Sequence, residues 1–360
     1  MKVAYGAAFG KLLSERSNVL FSLMSGYNLY VLLDERTTVF RAEYPMVEHA
    51  ITGERYYAVS LDDSPYGKPA TSRTGDESHR WDLERWQTVL ERPMPRDRFV
   101  WPVDVASAED ERCFLIFPLE FDMARLYPLA DLMPNWNDGR PLASYGEEVA
   151  RQRGLRVKVA KSLVDAWNLL HATGYLYLGF DPEHMYYSEN GKVKLGFSLA
   201  TVNVGSPDAI RPDAVAGSPV AARSYDTLGL SLDYVDPLAY QSVKAALEKG
   251  GMAYAGAYTD MFAMHAMVFR LLVGRLPFYG PIVLPEPNDS PEEHRRWLDF
   301  YQGNPVFIFD SQDDSNRVGG EDGFASDEVF EDNWNALDAG LRAELEGYFD
   351  SVKRIGRWER

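Results

Sequence analysis

Short runs of apolar and aromatic residues occupy the first third of the chain, and this pattern favours β-strands. The runs are rich in Val, Tyr, Phe and Leu, and turn-prone residues separate them. They predict four strands, at residues 28–33, 38–43, 55–61 and 113–117. Between the third and fourth strands, apolar residues at helical spacing predict one helix over residues 78–92.

Helical periodicity replaces this pattern in the second half of the chain. Apolar residues recur every three or four positions in residues 147–171, and Gly174 follows as a helix stop signal. Residues 258–280 are apolar on nearly every side, which predicts a helix buried in the core. A last helix is predicted over residues 338–356, where the apolar residues form one stripe.

Two polar stretches carry neither pattern. Residues 201–225 are rich in Ser, Pro and Ala and predict a long loop, whereas residues 281–332 combine prolines with many acids and predict an irregular insertion. The order of elements, with strands first and helices afterwards, predicts an α+β fold. We place the boundary between the strand-rich and helical domains so that they span residues 1–118 and 119–360.

Charge and cysteine content restrict the partners, the disulfides and the cellular location that we expect for the chain. The chain of 360 residues has 37 Lys and Arg against 54 Asp and Glu, a formal net charge of −17. Such a chain should repel nucleic acid and anionic membrane surfaces, so we expect protein partners and neither nucleic-acid nor membrane binding. The single cysteine, Cys113, excludes an internal disulfide, and its apolar neighbours predict a buried thiol. The longest apolar helical stretch is too short to span a bilayer, which favours a soluble cytoplasmic protein.

Residues 170–200 carry the most informative motif, with the sequence LHATGYLYLGFDPEHMYYSENGKVKLGFSLA. This stretch resembles the catalytic loop and metal-binding loop of protein kinases, which read roughly L-H-x-x-G-Y-x-H-R-D-x-K-P-E-N, then a hairpin, then D-F-G. Residues 258–280 resemble the central buried helix of the kinase C-lobe, in which Asp260 occupies the position of an Asp that ties down the catalytic-loop backbone. Residues 233–238 resemble the end of an activation segment, although Leu238 replaces the acid usually found there.

These motifs identify the chain as resembling the eukaryotic-like protein kinase superfamily. The resemblance implies a two-lobed fold with a strand-rich N-lobe and a mainly helical C-lobe. Residues 305–317 are also similar to a C-terminal extension of bacterial kinase-like proteins, which favours a bacterial source. Asp260, Pro182 and Glu183 are the positions for which the resemblance implies a structural role.

The chain has other residues at the positions that carry out the reaction in a kinase. The resemblance places Tyr177, Leu178 and Gly179 at H-R-D, Asp181 at the Lys, His184 at the metal-binding Asn, and Gly196, Phe197 and Ser198 at D-F-G. Phosphoryl transfer needs a carboxylate at the attacking hydroxyl and protein anchors for the metal ions. Losing a general base typically costs a factor of about 10²–10⁴ in rate, and Gly179 has no side chain to act as one. His184 offers an imidazole where Mg²⁺ prefers oxygen.

The N-lobe also lacks the residues with which a kinase binds the phosphates of ATP. A strand that ends at Ser60 resembles the one that ends in the kinase lysine, so Ser60 stands in that slot. Glu84 lies where a helix would supply the partner of this lysine. The loop that covers the phosphates corresponds to residues 33–38, which contain no glycine and two acids. Arg41 or Arg36 could replace the lysine, but with a bulkier group of different geometry.

Two functions remain open on this resemblance. The first is a catalytically inactive pseudokinase that acts as a protein-interaction scaffold or allosteric regulator and uses neither ATP nor Mg²⁺. Its predicted contact surfaces are residues 281–332, 201–225 and 78–92. The second is a nucleotide-binding sensor or atypical transferase with a rebuilt site, in which Arg41, Asp181 and His184 contact the nucleotide. A third alternative is an unrelated α+β protein with a fortuitous likeness.

Three further features have both a structural and a chemical explanation. Asp181 and His184 could form an acid–base or metal pair, but an aspartate before Pro182 more often caps a turn. Residues 310–321 place acids at positions 1, 5 and 12 of a calcium-type loop without its usual glycine, so surface Asx turns are favoured over a calcium site. His171, at the end of its helix, is expected to be structural.

Overall fold

A computed structural model of the protein divides the chain into two compact units. The first unit runs to Leu126 and includes residues 196–199 and 227–229, and the second comprises the rest of the chain from Tyr127 onward. The predicted division after residue 118 stays a prediction. The structure describes residues 18–25, 28–39, 42–60, 90, 92–109, 112–119, 125–133, 142–178, 181–198, 201–203, 232–237, 257–280, 305–318 and 328–358.

Six strands of the first unit form a closed antiparallel barrel. The strands of this unit are β1 (Val19–Ser22), β2 (Leu29–Val39), β3 (Ala42–His49), β4 (Arg55–Ser60), β5 (Phe99–Val100), β6 (Asp104–Ser107) and β7 (Cys113–Pro118). Around the barrel the order is β1, β2, β3, β4, β7 and β6. Strand β1 closes the barrel, because it pairs with β2 on one side and with β6 on the other. Closure removes the exposed edges on which sheets aggregate.

Three predicted strands of this unit are confirmed, those at 28–33, 55–61 and 113–117, which correspond to the start of β2, to β4 and to β7. The strands β1 and β6 were not predicted, because runs of four residues give too short an alternation to recognise. Cys113 is half-buried rather than buried, since it is the first residue of its strand. The predicted helix at 78–92 lies outside the described residues, except for residues 90 and 92.

The segment 33–38 differs from its prediction. It was expected to form the turn that covers the phosphates of a nucleotide, but it continues β2 as far as Val39. Its threonines favour an extended backbone, and a shift of register between Leu32 and Arg36 accommodates the irregularity as a β-bulge does. The predicted strand at 38–43 is not a single strand, because its two ends belong to the antiparallel strands β2 and β3, which pair Val39 with Ala42; residues 40 and 41 lie outside the described residues.

A buried polar network lies inside the barrel. Asp104 is 2% exposed, and its Oδ1 accepts hydrogen bonds from the Ser22 hydroxyl at 2.8 Å and from the Val105 amide at 2.8 Å. Its Oδ2 accepts the hydroxyl hydrogen of Tyr30 at 2.8 Å. Burial and then the Asp104 carboxylate raise the pKa of Tyr30, so the phenol stays protonated and donates. Because these side chains come from β1, β2 and β6, the network joins the closing strand to both of its neighbours.

The second unit contains five helices in the described part of the chain. They are α1 (Leu142–Arg151), α2 (Arg153–Ala172), α3 (Ala257–Val273), α4 (Glu328–Asn335) and α5 (Ala339–Trp358). The remaining strands are β8 (Leu126–Pro128), β9 (Tyr175–Leu176), β10 (Met185–Ser188), β11 (Val193–Gly196) and β12 (Val202–Asn203), where β9 pairs with β12 and β10 with β11. Short 3₁₀ helices cover Leu129–Leu132, Pro182–His184 and Leu232–Tyr234. Of the helices in the described ranges, none combines the length and apolar character needed to cross a membrane.

The helix predictions for this unit are largely confirmed. α3 and α5 agree with the predicted helices, and Gly174, with φ of +86°, follows the end of α2 as a left-handed residue that glycine favours. The predicted helix at 147–171 is in fact two helices, because the backbone at Gln152 (φ −99°, ψ 11°) breaks the helical path.

Part of the predicted insertion 281–332 belongs to the core. Phe307, Ile308 and Phe309 are buried, and Phe309 stacks on Trp334 of α4 with ring centroids 5.0 Å apart. The prolines and acids of the stretch masked this short apolar run, whose burial draws residues 305–318 onto the helices. Residues 281–304 lie outside the described residues.

Candidate functional site

Asp260 is the centre of the candidate site. It lies in the first turn of α3 and is completely buried. Four groups hydrogen-bond to its carboxylate: Trp167 Nε1 at 2.9 Å, His171 Nε2 at 2.6 Å, the Tyr177 amide at 3.0 Å and the Leu178 amide at 2.7 Å. A buried carboxylate is stable only with such partners, and the partial positive charge at a helix N-terminus favours it further. Asp260 thereby joins α2, α3 and the loop that follows β9.

The loop held by Asp260 has a constrained backbone. Leu178 has φ of +50°, a left-handed conformation that costs a non-glycine residue about 1–2 kcal/mol. The two consecutive amides of Tyr177 and Leu178 point to the same carboxylate, which compensates for this conformation. Both side chains are buried, and the Tyr177 ring packs edge-on against Trp167 at 5.2 Å. They therefore act as core residues. Gly179 lies outside the described residues.

Asp181 and His184 lie next in the chain and are bonded to each other. Asp181 is the N-cap of the 3₁₀ helix Pro182–His184, and its Oδ1 accepts the amide hydrogen of Glu183 at 3.0 Å. Its Oδ2 is 2.8 Å from His184 Nδ1, and the two side chains are 25% and 17% exposed. The expected turn cap is therefore present, and the capping side chain also contacts His184. Among the residues that the structure describes, no cluster of His, Cys, Asp or Glu could hold a metal ion.

Gly196, Phe197 and Ser198, the slots of the D-F-G motif, are all buried. The Phe197 amide donates to the Val100 carbonyl at 2.9 Å, and its ring meets the edge of Trp101 at 5.0 Å. None of the three residues carries a carboxylate. Their contacts are those of a packed strand end, and they offer no acidic ligand to a metal ion.

Ser60, the residue in the lysine slot, is the last residue of β4 and pairs with Phe114 of β7. Its hydroxyl oxygen is buried and has no hydrogen-bond partner among the described residues. Arg36, one of the proposed replacements for the lysine, lies within β2, where its Nη2 donates to the Glu43 carbonyl at 3.1 Å. The other, Arg41, and the proposed partner Glu84 lie outside the described residues.

The calcium-type loop forms Asx turns over its described part. Asp310 is 3% exposed, and its Oδ1 accepts the amide hydrogens of Gln312 at 2.7 Å and Asp313 at 3.1 Å. Asp313 in turn accepts from the Ser315 amide at 3.2 Å. Backbone amides therefore occupy Oδ1 of Asp310, the acid at position 1 of the loop. Asp310 is buried, whereas the sequence predicted a surface turn.

Sequence reasoning missed the buried charge on α3. Arg270 lies in the stretch predicted as a buried apolar helix, yet it is charged, it is 6% exposed, and its Nη1 donates to the Tyr234 hydroxyl at 2.6 Å. The same nitrogen lies 3.8 Å from Asp233 Oδ2. The available signal was a basic residue in a mainly apolar helix, together with the acids of residues 233–236. Leu238, where the usual acid is missing, lies outside the described residues.

A second buried arginine was also missed. Arg156 of α2 is 3% exposed, and its Nη1 donates to the backbone carbonyls of Leu132 and Leu271. Burial lowers its pKa to about 10, so the guanidinium remains charged at neutral pH. Backbone carbonyls thus stabilise this charge and fasten α2 to α3.

Comparison with known proteins gives a partial match to protein kinases. No family model matches the chain. The chain is 25% identical over 159 residues to the Rho-associated protein kinase let-502 of Caenorhabditis briggsae, a match that covers 44% of this chain and 11% of that protein. It is 22% identical over 155 residues to Rho-associated protein kinase 1 of Homo sapiens, covering 43% and 10%. The match therefore spans about a tenth of the length of these relatives.

Solved structures with protein-kinase folds are similar only at a low level. The specific rhoptry antigen kinase domain of Toxoplasma gondii gives a TM-score of 0.46 at 13% identity, covering 97% of this chain and 92% of that one. ROP2 of Toxoplasma gondii, described as a virulence factor with a protein-kinase fold and no enzymatic activity, gives 0.42 at 13% identity, covering 96% and 91%. At such TM-scores, neither likeness carries an argument about this chain.

Proposed function

We propose that this chain is a pseudokinase, a two-lobed protein kinase-like protein that has lost phosphoryl transfer and acts as a protein-interaction scaffold or allosteric regulator. The observation that carries the proposal is the Asp260 centre. Its carboxylate holds the Tyr177 and Leu178 amides of the loop that resembles a catalytic loop, while Tyr177, Leu178 and Gly179 replace the H-R-D residues. The partial sequence match to Rho-associated protein kinases supports the kinase-like relationship.

The loss of activity follows from the residues that stand at the catalytic positions of a kinase. Phosphoryl transfer depends on positioning and on electrostatic stabilisation by a lysine and metal ions. Ser60 supplies no positive charge, and Gly196 supplies no metal ligand. Gly179 cannot accept a proton, and that loss alone lowers a rate by a factor of about 10²–10⁴. Together these changes remove each group that the reaction uses.

The proposed partner is a protein with a basic or polar surface. The net charge of −17 supports this choice, because it repels other acidic molecules and attracts basic ones. The proposed contact segments are residues 281–332, 201–225 and 78–92, apart from the buried Phe307, Ile308 and Phe309. The similarity of residues 305–317 to bacterial kinase-like proteins supports a bacterial source for this chain.

Transfer of labelled γ-phosphate tests the loss of activity. The purified chain is incubated with ATP, Mg²⁺ or Mn²⁺ and general acceptor proteins, beside an active kinase as a positive control. We expect no incorporation above a protein-free blank, either into the acceptor or into the chain itself. Incorporation that disappears in a His184→Gln variant would contradict the proposal, because it would assign chemistry to the rebuilt loop.

The second candidate, a nucleotide sensor or atypical transferase, is favoured by one observation. Asp181 and His184 form a half-exposed hydrogen-bonded pair, an arrangement that can accept or donate a proton. On this alternative, Asp181→Asn and His184→Gln should each weaken nucleotide binding. On the scaffold proposal, both variants should bind a protein partner as the unmodified chain does.

A further inference from the structure

We infer that Arg270, Asp233 and Tyr234 form a buried clamp that holds residues 232–237 in place without phosphorylation or bound nucleotide. We call these three residues the Arg270 clamp. Residues 232–237 belong to the segment that resembles the end of an activation segment, so the inference rests on the proposed function and concerns the regulation of that same region.

The clamp is anchored on α3, the helix that also carries Asp260. Arg270 lies in the last turn of this helix, and its Nη1 donates a hydrogen bond of 2.6 Å to the Tyr234 hydroxyl. Asp233 Oδ2 lies 3.8 Å from the same nitrogen, with both side chains at or below 10% exposure. The guanidinium carbon is also 5.7 Å from the centroid of the Tyr234 ring, within the range of a cation–π interaction.

Tyr234 extends the clamp to another part of the second unit. Its side chain is completely buried, and its hydroxyl donates to Met133 Sδ at 3.1 Å. The Tyr234 hydroxyl therefore serves both as an acceptor, from Arg270, and as a donor, to Met133. Burial raises the pKa of Tyr234 to about 12, so the phenol is neutral at physiological pH.

Because Arg270 is a buried charge, it requires Tyr234 and Asp233 as partners. Burial alone lowers the pKa of Arg270, but Tyr234 and Asp233 outweigh burial, and the pKa lies above its ordinary value. A buried cation is tolerated only beside such partners, and removing one partner leaves an uncompensated charge in the core. The segment therefore cannot leave α3 without exposing or stranding the guanidinium.

The rest of the segment is also inside the protein. Residues 234–237 are all buried, and Asp236 is 1% exposed. Burial, and next the Asp236 carboxylate, raises the pKa of Tyr258 at the start of α3.

This arrangement has a regulatory consequence. Activation loops that depend on phosphorylation become ordered when the new phosphate pairs with an arginine. Here the arginine on α3 is already engaged by a carboxylate and a phenol that the sequence encodes. The encoded acid takes the place that a phosphate takes in such loops, and the order of the segment is constitutive.

Hydrogen–deuterium exchange of the full chain tests the inference. Peptides that cover residues 232–237 are compared in the unmodified chain before and after phosphatase treatment, each with and without ATP and Mg²⁺, and in the variants Arg270→Met, Asp233→Asn and Tyr234→Phe. We expect equal protection in all samples of the unmodified chain. We expect exchange at least ten times faster in Arg270→Met, with smaller increases in the two milder variants.

Arg275→Met is the matched control. Arg275 is also a buried arginine, but its guanidinium donates to the carbonyls of Tyr279 and Gly280, so its loss should leave exchange in residues 232–237 unchanged relative to the unit as a whole. Faster exchange after phosphatase treatment, or no change in Arg270→Met and Tyr234→Phe, would overturn the inference. Phosphoryl transfer by the unmodified chain would refute the proposed function instead, whatever the exchange shows.

Discussion

Removing the Asp260 carboxylate should strongly destabilise the second unit. In Asp260→Ala, the indole of Trp167 and the amides of Tyr177 and Leu178 lose their acceptor inside the core, where water cannot replace it. His171, whose side chain is 11% exposed, can turn toward solvent and loses less. A buried donor without a partner costs about 1–3 kcal/mol. Three such donors give a loss of about 4–6 kcal/mol, because the terms overlap and do not simply add.

Asp260→Asn should be milder. The amide oxygen still accepts from one or two donors, while the amide nitrogen faces the others, so we expect a loss of about 2–3 kcal/mol. Since whole domains are stable by only about 5–15 kcal/mol, both losses are large enough to measure. The control is Asp165→Ala, which removes an exposed carboxylate from α2 and should change stability by no more than about 0.5 kcal/mol.

Urea unfolding followed by tryptophan fluorescence and far-UV circular dichroism measures these differences. Amide exchange at Tyr177 and Leu178 adds a local readout, because these two amides lose their acceptor directly. A loss below about 1 kcal/mol in both Asp260 variants, with exchange at the two amides unchanged, would refute the reasoning.

Three further variants probe other parts of the structure. In Asp104→Ala, the hydroxyl of Tyr30 loses its buried acceptor in the barrel, so the urea midpoint should fall by the equivalent of about 2–4 kcal/mol. Burial lowers the pKa of His265 below the ordinary 6.5, so its contribution to stability is present above pH 6.5 and is lost as the pH falls through the lowered value. Midpoints measured between pH 7.5 and 5 should therefore decline less in His265→Gln. Phe309→Ala removes a ring stacked on Trp334 and should cost about 3–5 kcal/mol, whereas a loss near zero would exclude residues 305–318 from the core.

The sequence predicted the elements whose pattern is regular over many residues. α3 and α5 were recognisable because their apolar residues keep helical spacing, and Gly174 marks a left-handed position that other residues avoid. Strands β4 and β7 were equally clear, since each is a mostly apolar and aromatic run of six residues. The Asp260 centre was suggested by the resemblance to kinases, whereas its four hydrogen bonds required the structure.

The remaining features depend on contacts between distant residues. Strand β1 has only four residues, and its pairing with β6 joins positions more than eighty residues apart, which no local pattern reports. Asp104 looks like a surface acid until the barrel closes around it. Arg270 likewise looks out of place in a buried helix until Asp233 is seen to lie beside it. Polar groups inside a core are unpredictable from periodicity, because their burial depends on partners supplied by other elements.

The absence of nucleotide-dependent chemistry is the central claim, and a thermal-shift titration tests it most directly. The chain is heated with ATP or ADP up to millimolar concentration, each with Mg²⁺, with Mn²⁺ or with no metal ion. A ligand present at about 100 times its Kd stabilises the folded state by about 2.7 kcal/mol, which is readily detected. The account predicts no shift under any of these conditions. A metal-dependent rise in the midpoint that His184→Gln removes would contradict it and would make the rebuilt nucleotide site the better explanation.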